Sequence, residues 1–144
     1  MPYVTDWRGS YLCRKFSGRI SSEEVTAATE EITNDPRFDQ LSVVISDYLD
    51  ITDIDLTIQE AIRLAHSCYA AAKSNPRVRV GVILTHETAQ ALAALVRYEF
   101  EELNGPWEFA YFSTRDEAKR WLRSLPNYDA DKFPCGLFPE YATD

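Results

Sequence analysis

Apolar residues in this sequence fall into short continuous runs and longer stripes with helical spacing. Residues 41–47 and 78–84 are two runs rich in β-branched side chains, which predict two buried strands. A helix-length segment from Thr57 to Ser74 lies between them. A strand, a helix and a second strand in this order predict a βαβ unit with parallel strands, covered on both faces of the sheet.

More strands are predicted on either side of this unit. Residues 3–8 and 10–17 predict two strands that meet near Gly9 as a hairpin. Residues 107–112 alternate between apolar and polar side chains and predict an outer strand. The acidic stretch that follows residue 47 is expected to form a turn.

Three further helices are predicted where capping residues precede apolar stripes. They begin at Ser21, near Thr85 and at Thr114. On the central helix, the expected buried stripe is Ile58, Ile62, Ala65, Tyr69 and Ala72. The predicted fold class is therefore α/β, with a mixed, largely parallel sheet, an N-terminal hairpin and four helices.

The chain is expected to contain one domain, residues 1–126, followed by a tail, residues 127–144. The tail contains prolines, yet Phe133, Phe138 and Tyr141 are too apolar to remain in water. We expect it to pack on the domain or on a partner chain.

Charge and composition exclude several classes of partner. The chain has 144 residues and a formal net charge of −8, so nucleic acid and anionic membranes are poor partners. No apolar run approaches the roughly 18 residues needed to span a bilayer, and the first residues do not resemble a signal peptide. Cys13, Cys68 and Cys135 are far apart in sequence, which suits a reducing cytoplasm.

Neither a metal site nor a cofactor is predicted. His66 and His86 have no ligand at metal-binding spacing. The dense acidic cluster of Asp47, Asp50, Asp53 and Asp55 lacks the glycine and the closing glutamate of a Ca²⁺ loop. These carboxylates are interpreted as turn and cap residues, and a hard cation is the alternative.

Ligands of open α/β sheets bind beyond the carboxyl ends of the strands. The candidate ligand or partner surface at these ends is Ser17, Arg19, Asp47, Tyr48, Asp50, Asp55, Thr57, Thr85 and His86. Asp47 and His86 would form an acid–base pair if they ended adjacent strands, although no activated nucleophile accompanies them. No catalytic residue is therefore assigned.

The third predicted helix has a second apolar stripe, Ala91, Leu95 and Tyr98. Two interpretations stay open for it. It either widens the face that packs on the core, or it forms a homodimer through the helix.

Several stretches together resemble the SpoIIAA-like (STAS/SEC14-type) bacterial domains, named for the sporulation anti-sigma-factor antagonist. They are residues 16–25 (FSGRISSEEV), 35–38 (DPRF), 43–47 (VVISD) and 75–80 (NPRVRV). The resemblance covers most of residues 10–125 and carries no catalytic motif. It implies a sheet against which successive strand–helix units are wound, and partner proteins in the cell.

In the antagonists of that family, a partner kinase phosphorylates a serine at the start of the helix after the central strand. The matching stretch here is residues 54–58, which lacks the family's Asp-Ser-Ser-Gly pattern. Leu56 occupies the position of the switch serine, and Thr57 is the nearby hydroxyl. Thr57 is interpreted as a helix N-cap, with a phosphorylation switch as the alternative.

Two main functional hypotheses follow. The first is a non-enzymatic cytoplasmic module that binds a protein partner through the candidate surface or the second stripe. The second is a carrier of a small apolar molecule such as a lipid, with the aromatic tail as a lid. An interior cavity with apolar walls would favour the second. A hydrolase or transferase that uses Asp47 and His86 is a distant third.

Overall fold

The computed structural model describes residues 3–126 and residue 128. The strands in this part of the chain are β1 (Tyr3–Arg8), β2 (Tyr11–Ser21), β3 (Val43–Asp55), β4 (Arg79–Ile83) and β5 (Glu108–Phe112). The α-helices are α1 (Ser22–Thr33), α2 (Ile58–Ala72), α3 (Glu87–Glu102) and α4 (Arg115–Ser124), and a 3₁₀ helix spans Pro36–Gln40.

The five strands form one sheet in the order β1-β2-β3-β4-β5. β1 and β2 are the antiparallel hairpin, and every later neighbour pair is parallel. Each parallel connection contains a helix, as parallel pairing requires. The predicted fold class, a mixed α/β domain with a largely parallel sheet, is confirmed.

Helices cover both faces of the sheet. Because successive strand residues point to opposite faces, Leu12 and Phe16 lie on one face and Cys13 on the other. Side chains of α1, α2 and α3 pack on the first face, which we call the three-helix face. Ala118 and Leu122 of α4 pack on the second, which we call the α4 face.

The predicted capping boxes are present and fix where helices begin. At α1 the Ser21 hydroxyl accepts from the Glu24 amide at 3.3 Å, and the Glu24 carboxylate accepts from the Ser21 amide at 2.9 Å. Equivalent boxes begin α2 at Thr57 and α4 at Thr114. Each such cap contributes about 1 kcal/mol, because it satisfies amides that have no partner within the helix.

The prediction of an acidic turn after residue 47 was wrong. β3 continues to Asp55, and β2 continues past residue 17 to Ser21, so the two strands pair along this whole length. The register shifts between Lys15 and Ser17 and again between Gly18 and Arg19, as at β-bulges. Pairing between β2 and β3 therefore keeps these polar residues in a strand, although their local propensity favours a turn.

The predicted buried stripe of the central helix was wrong about its first residue, Ile58. Ile58 is 63% exposed, whereas Ala65 and Ala72 are buried. Ile58 is the first residue of α2, directly after the cap Thr57. The stripe is set by small residues that allow close contact with α3, namely Ala61 and Ala65.

Asn75 joins the end of α2 to the segment that enters β3. Its side chain is fully buried, and its amide nitrogen donates to the carbonyl oxygens of Phe38 at 2.7 Å and Leu41 at 2.9 Å. The indole nitrogen of Trp107 donates to the Asn75 carbonyl at 2.7 Å. One polar side chain thus satisfies backbone groups of a loop that regular structure leaves unpaired.

The predicted tail lies outside the described residues, apart from Tyr128, which packs against the apolar cluster of the α4 face. Phe133, Phe138 and Tyr141, the expected lid, and Cys135 also lie outside them. Among the described residues, no helix combines the length and the apolar character needed to cross a membrane.

Candidate functional site

A cavity of about 130 Å³ lies between the three-helix face of the sheet and the helices that cover it. Alternate residues of the strands form its floor, and side chains of α1, α2 and α3 form its walls. Six representative apolar lining residues are Val25, Ile32, Val80, Val82, Leu92 and Val96. An apolar cavity of roughly 150 Å³ admits a molecule the size of benzene, so this space is large enough for a small ligand.

Four polar side chains interrupt the apolar lining on the floor and on α2. Arg14 of β2 and Ser46 of β3 are paired in register, and the Arg14 Nε donates to the Ser46 Oγ at 2.9 Å. Tyr48 follows on β3 two residues later, and Cys68 of α2 lines the same cavity. The strand period of two places Arg14, Ser46 and Tyr48 on the cavity side of the sheet.

The guanidinium group of Arg14 is only partly satisfied. Its Cζ lies 5.2 Å from the centroid of the Phe16 ring, a cation–π distance. The ring of Phe16 in turn stacks on Tyr48 at 4.5 Å between centroids. The Arg14 Nη1 is buried and has no hydrogen-bond partner among the described residues.

Tyr48 and Cys68 are neutral at physiological pH. Burial raises the pKa of the Cys68 thiol to about 11, although the positive charge of Arg14 opposes that rise. Burial likewise raises the pKa of the Tyr48 phenol, again against the charge of Arg14. The thiol is therefore not an activated nucleophile, because the thiolate is the reactive form.

The predicted acidic cluster forms exposed ion pairs between β2 and β3. The Lys15 Nζ lies 3.1 Å from Asp50, and Arg19 lies 3.5 Å from Asp53 and 3.8 Å from Asp55. Exposed pairs of this kind contribute little to stability. No group of three or more histidine, cysteine, aspartate or glutamate side chains suited to a metal occurs within the described part of the chain.

Asp47 has a different environment from the other acidic residues. It is fully buried on the α4 face, where the Arg115 Nε donates to its Oδ2 at 2.7 Å. The Leu49 amide donates to its Oδ1 at 3.0 Å. A buried carboxylate held by a guanidinium and an amide is a structural ion pair. The sequence did not predict Arg115 as its partner.

The residues at the starts of two helices act as N-caps. The Nδ1 of His86 accepts from the Ala89 amide at 3.4 Å at the start of α3. The Thr57 hydroxyl accepts from the Glu60 amide at 3.1 Å at the start of α2. The ring nitrogen of His86 that makes this bond cannot also serve as a base.

The remaining predicted surface residues, Ser17, Arg19 and Thr85, are exposed. Tyr48 is the one predicted site residue among the described residues that line the cavity. The sequence prediction missed Arg14, Ser46 and Cys68. The signal for Arg14 was present in the alternation of β2, where an arginine occupies the inward position between Leu12 and Phe16.

The second apolar stripe of α3 is divided between the core and the surface. Leu95 packs against the apolar cluster between α2 and α3. Ala91 is exposed, and Tyr98 is 58% exposed. The packing of Leu95 favours the first interpretation for that residue, and the homodimer stays a prediction.

Neither a protein-family model nor a curated protein matches the sequence. Solved structures do match the fold. The anti-sigma factor antagonist SpoIIAA in its unphosphorylated form matches with a TM-score of 0.57 and 12% identity, over 85% of this chain and 99% of that one. An uncharacterised protein of the DUF3478 family from Shewanella loihica PV-4, with a SpoIIAA-like fold, matches with a TM-score of 0.52 and 18% identity.

The second match covers 83% of this chain and 92% of the Shewanella chain. Identities this low establish the fold and leave the function of this chain open. The resemblance inferred from residues 16–25 and the later stretches is confirmed at the level of structure. This chain has a SpoIIAA-like fold.

Proposed function

We propose that this protein is a non-catalytic binding module that holds a small apolar molecule in the cavity of its three-helix face. The observation that carries the proposal is the cavity itself, about 130 Å³ in volume and lined mainly by aliphatic side chains. Protein interiors are normally packed to the density of organic crystals, so the side chains around an apolar space of this size have fewer dispersion contacts than close packing would give. A bound apolar molecule would restore them.

The groups that could perform chemistry support a binding role. The thiol of Cys68 is protonated, because its pKa is about 11. The carboxylate of Asp47 pairs with Arg115, and His86 caps α3 through a ring nitrogen. The free thiol of Cys68 supports a cytoplasmic location.

The test is a titration of ¹⁵N-labelled protein with toluene, followed by amide chemical shifts. The expected result is saturable shifts at residues of β4 and α3 that line the cavity. Native mass spectrometry of the protein purified from its own host should also show an excess mass that denaturation releases. Absence of both results would refute the proposal.

Cavity-filling variants test the location of binding. Ala93 lines the cavity on α3, whereas Ala91 is exposed on the same helix. Ala93→Phe should abolish the toluene shifts, and the matched variant Ala91→Phe should preserve them. Circular dichroism would reveal whether Ala93→Phe folds. If it does not, Ala93→Leu is the substitute, since leucine adds less volume and should still weaken toluene binding.

A second candidate function is recognition of a protein partner. The observation that favours it is the structural match to SpoIIAA, an anti-sigma factor antagonist. The proposed contact surface lies at the exposed end of the β2–β3 pair, with Asp55 and the cap Thr57. A phosphate at Thr57 would lie at the N-terminus of α2, where the helix dipole tolerates negative charge.

Affinity capture from the native host with Thr57→Asp and Thr57→Ala as baits tests this candidate. A regulated partner should bind one variant several-fold more strongly than the other. Equal recovery of the same proteins by both baits would leave Thr57 with a capping role and would remove the switch.

A further inference from the structure

The side chain of Arg14 enters the cavity from the floor of the sheet. It occupies the inward position between Leu12 and Phe16 on β2, opposite Ser46 of β3. Among the described residues that line the cavity, it is the sole charged side chain, and none of the others is a carboxylate.

The hydrogen-bond partners of this guanidinium are incomplete. The Nε donates to Ser46 at 2.9 Å, and the positive charge lies 5.2 Å from the Phe16 ring centroid. The Nη1 is buried, and no residue in the described part of the chain accepts a hydrogen bond from it. Neighbouring cations of the same strand differ in this respect, since Lys15 pairs with Asp50 and Arg19 with Asp53.

Guanidinium groups stay protonated in proteins, so an arginine side chain cannot relieve this situation by losing its proton. A guanidinium with a buried, unused N–H group is costly unless an anion or another acceptor reaches that group. The titratable groups nearest to it in the cavity, Tyr48 and Cys68, are neutral because burial raises the pKa of each. The charge therefore has no counterion among the described lining residues.

We infer that the molecule bound in the cavity is a small apolar carboxylic acid whose carboxylate pairs with the guanidinium of Arg14. This inference rests on the proposed function and adds the chemical class of the ligand. The planar fork of a guanidinium matches a carboxylate, and the hydroxyl of Ser46 fixes the orientation of the fork. The aliphatic walls contact the apolar body of the acid.

The size and charge of the site favour a monoanion with a small body. One cation balances one carboxylate, whereas a phosphate dianion would leave excess negative charge in an apolar cavity. A volume of about 130 Å³ fits an aromatic acid or a short fatty acid better than a long lipid chain. The net charge of −8 repels anions from the protein as a whole, so nonspecific attraction would not mimic this binding.

The experiment compares acids with their neutral amides. Benzoate and hexanoate, with benzamide and hexanamide as uncharged counterparts, are titrated into labelled protein and followed by amide chemical shifts. Each acid is expected to bind at least about tenfold more tightly than its amide, since charge-assisted hydrogen bonds give discrimination of that size. The salt concentration is kept constant throughout.

Variants of Arg14 test whether this residue causes the preference for acids over amides. Arg14→Met should lower the affinity for the acids at least about tenfold and leave the affinity for the amides within about threefold. Arg14→Lys should recover part of the loss, because lysine supplies the charge without the planar fork. The matched control Arg19→Met removes an exposed arginine from the same strand and should change neither affinity.

The unfolding temperature gives an independent test, because an arginine with only a structural role would not produce the pattern expected here. Without ligand, Arg14→Met should unfold at a temperature no lower than the wild type, because the variant removes a charged side chain whose buried Nη1 has no partner among the described residues. Benzoate should raise the unfolding temperature of the wild type and not that of the variant.

The outcomes separate this inference from the proposed function. If the amides bind in the cavity and the acids bind no better, the carboxylate inference fails and the proposed function stands. If neither the acids nor the amides nor toluene bind, and native mass spectrometry shows no excess mass, both fail. If Arg14→Met retains the preference for the acids, Arg14 is not the recognition residue and the inference is wrong.

Discussion

Asn75 offers the sharpest test of how this fold is held together. Its amide nitrogen donates to the Phe38 carbonyl at 2.7 Å and to the Leu41 carbonyl at 2.9 Å, in a fully buried position. Asn75→Ala would remove both donors and leave the two oxygens in the interior. The Phe38 carbonyl retains a hydrogen bond from the Leu41 amide at 3.1 Å. Removing the Asn75 donor should therefore cost less at the Phe38 carbonyl than at the Leu41 carbonyl.

The expected cost follows from these contacts. An acceptor buried without its partner costs about 1–3 kcal/mol, and the partial retention at Phe38 places the total near 3 kcal/mol. For a chain of this length, the unfolding temperature should fall by about 10 °C, at roughly 3 °C for each kcal/mol. Urea unfolding followed by circular dichroism measures the free energy directly.

A matched control is available in Asn34, an exposed residue at the end of α1. Asn34→Ala removes the same atoms and should change the free energy of unfolding by less than about 0.5 kcal/mol. Asn75→Asp keeps the shape but places a carboxylate against two carbonyl oxygens, so it should destabilise at least as strongly at pH 7. A loss below about 1 kcal/mol in Asn75→Ala would refute the role of the buried amide.

Three further predictions concern a cap, a close contact and a titration. Thr57→Ala should reduce the free energy of unfolding by about 1 kcal/mol in urea denaturation, whereas Thr57→Ser should retain the cap and most of the stability. Gly81→Ala would place its Cβ 2.7 Å from the ring of Trp121, so thermal unfolding should show a loss of about 1–3 kcal/mol and the near-ultraviolet circular dichroism should change. Hydrogen bonds from Arg37 lower the pKa of Asp35 from 3.8 to about 2, which an NMR titration should reproduce. Because the folded pKa is depressed, the stabilisation is complete above pH 4 and is lost as the pH falls towards 2, and Asp35→Asn should abolish that pH dependence.

The sequence predicted much of the fold because the caps and apolar runs depend on interactions between residues close together in the chain. The caps at Ser21, Thr57 and Thr114 satisfy backbone amides within four residues, so spacing alone identifies them. The β-branched runs at 41–47 and 78–84 became buried strands because both faces of the sheet are covered.

Errors arose where distant segments decide the outcome. Asp50 and Asp53 favour a turn by propensity, but β2 supplies a pairing strand whose Lys15 and Arg19 form ion pairs with them, and β3 continues. The exposure of Ile58, the first residue of α2, depends on tertiary packing, which the helical period does not encode.

The sequence by itself determined the order of the strands and helices, the hairpin and the helix caps. Tertiary structure alone decided where the polar groups meet. Asp47 and Ser46 are adjacent in sequence yet point to opposite faces, one towards Arg115 and the other towards Arg14. The cavity also belongs to this level, because an unfilled space results from how three helices sit on a sheet and has no signal in any single segment.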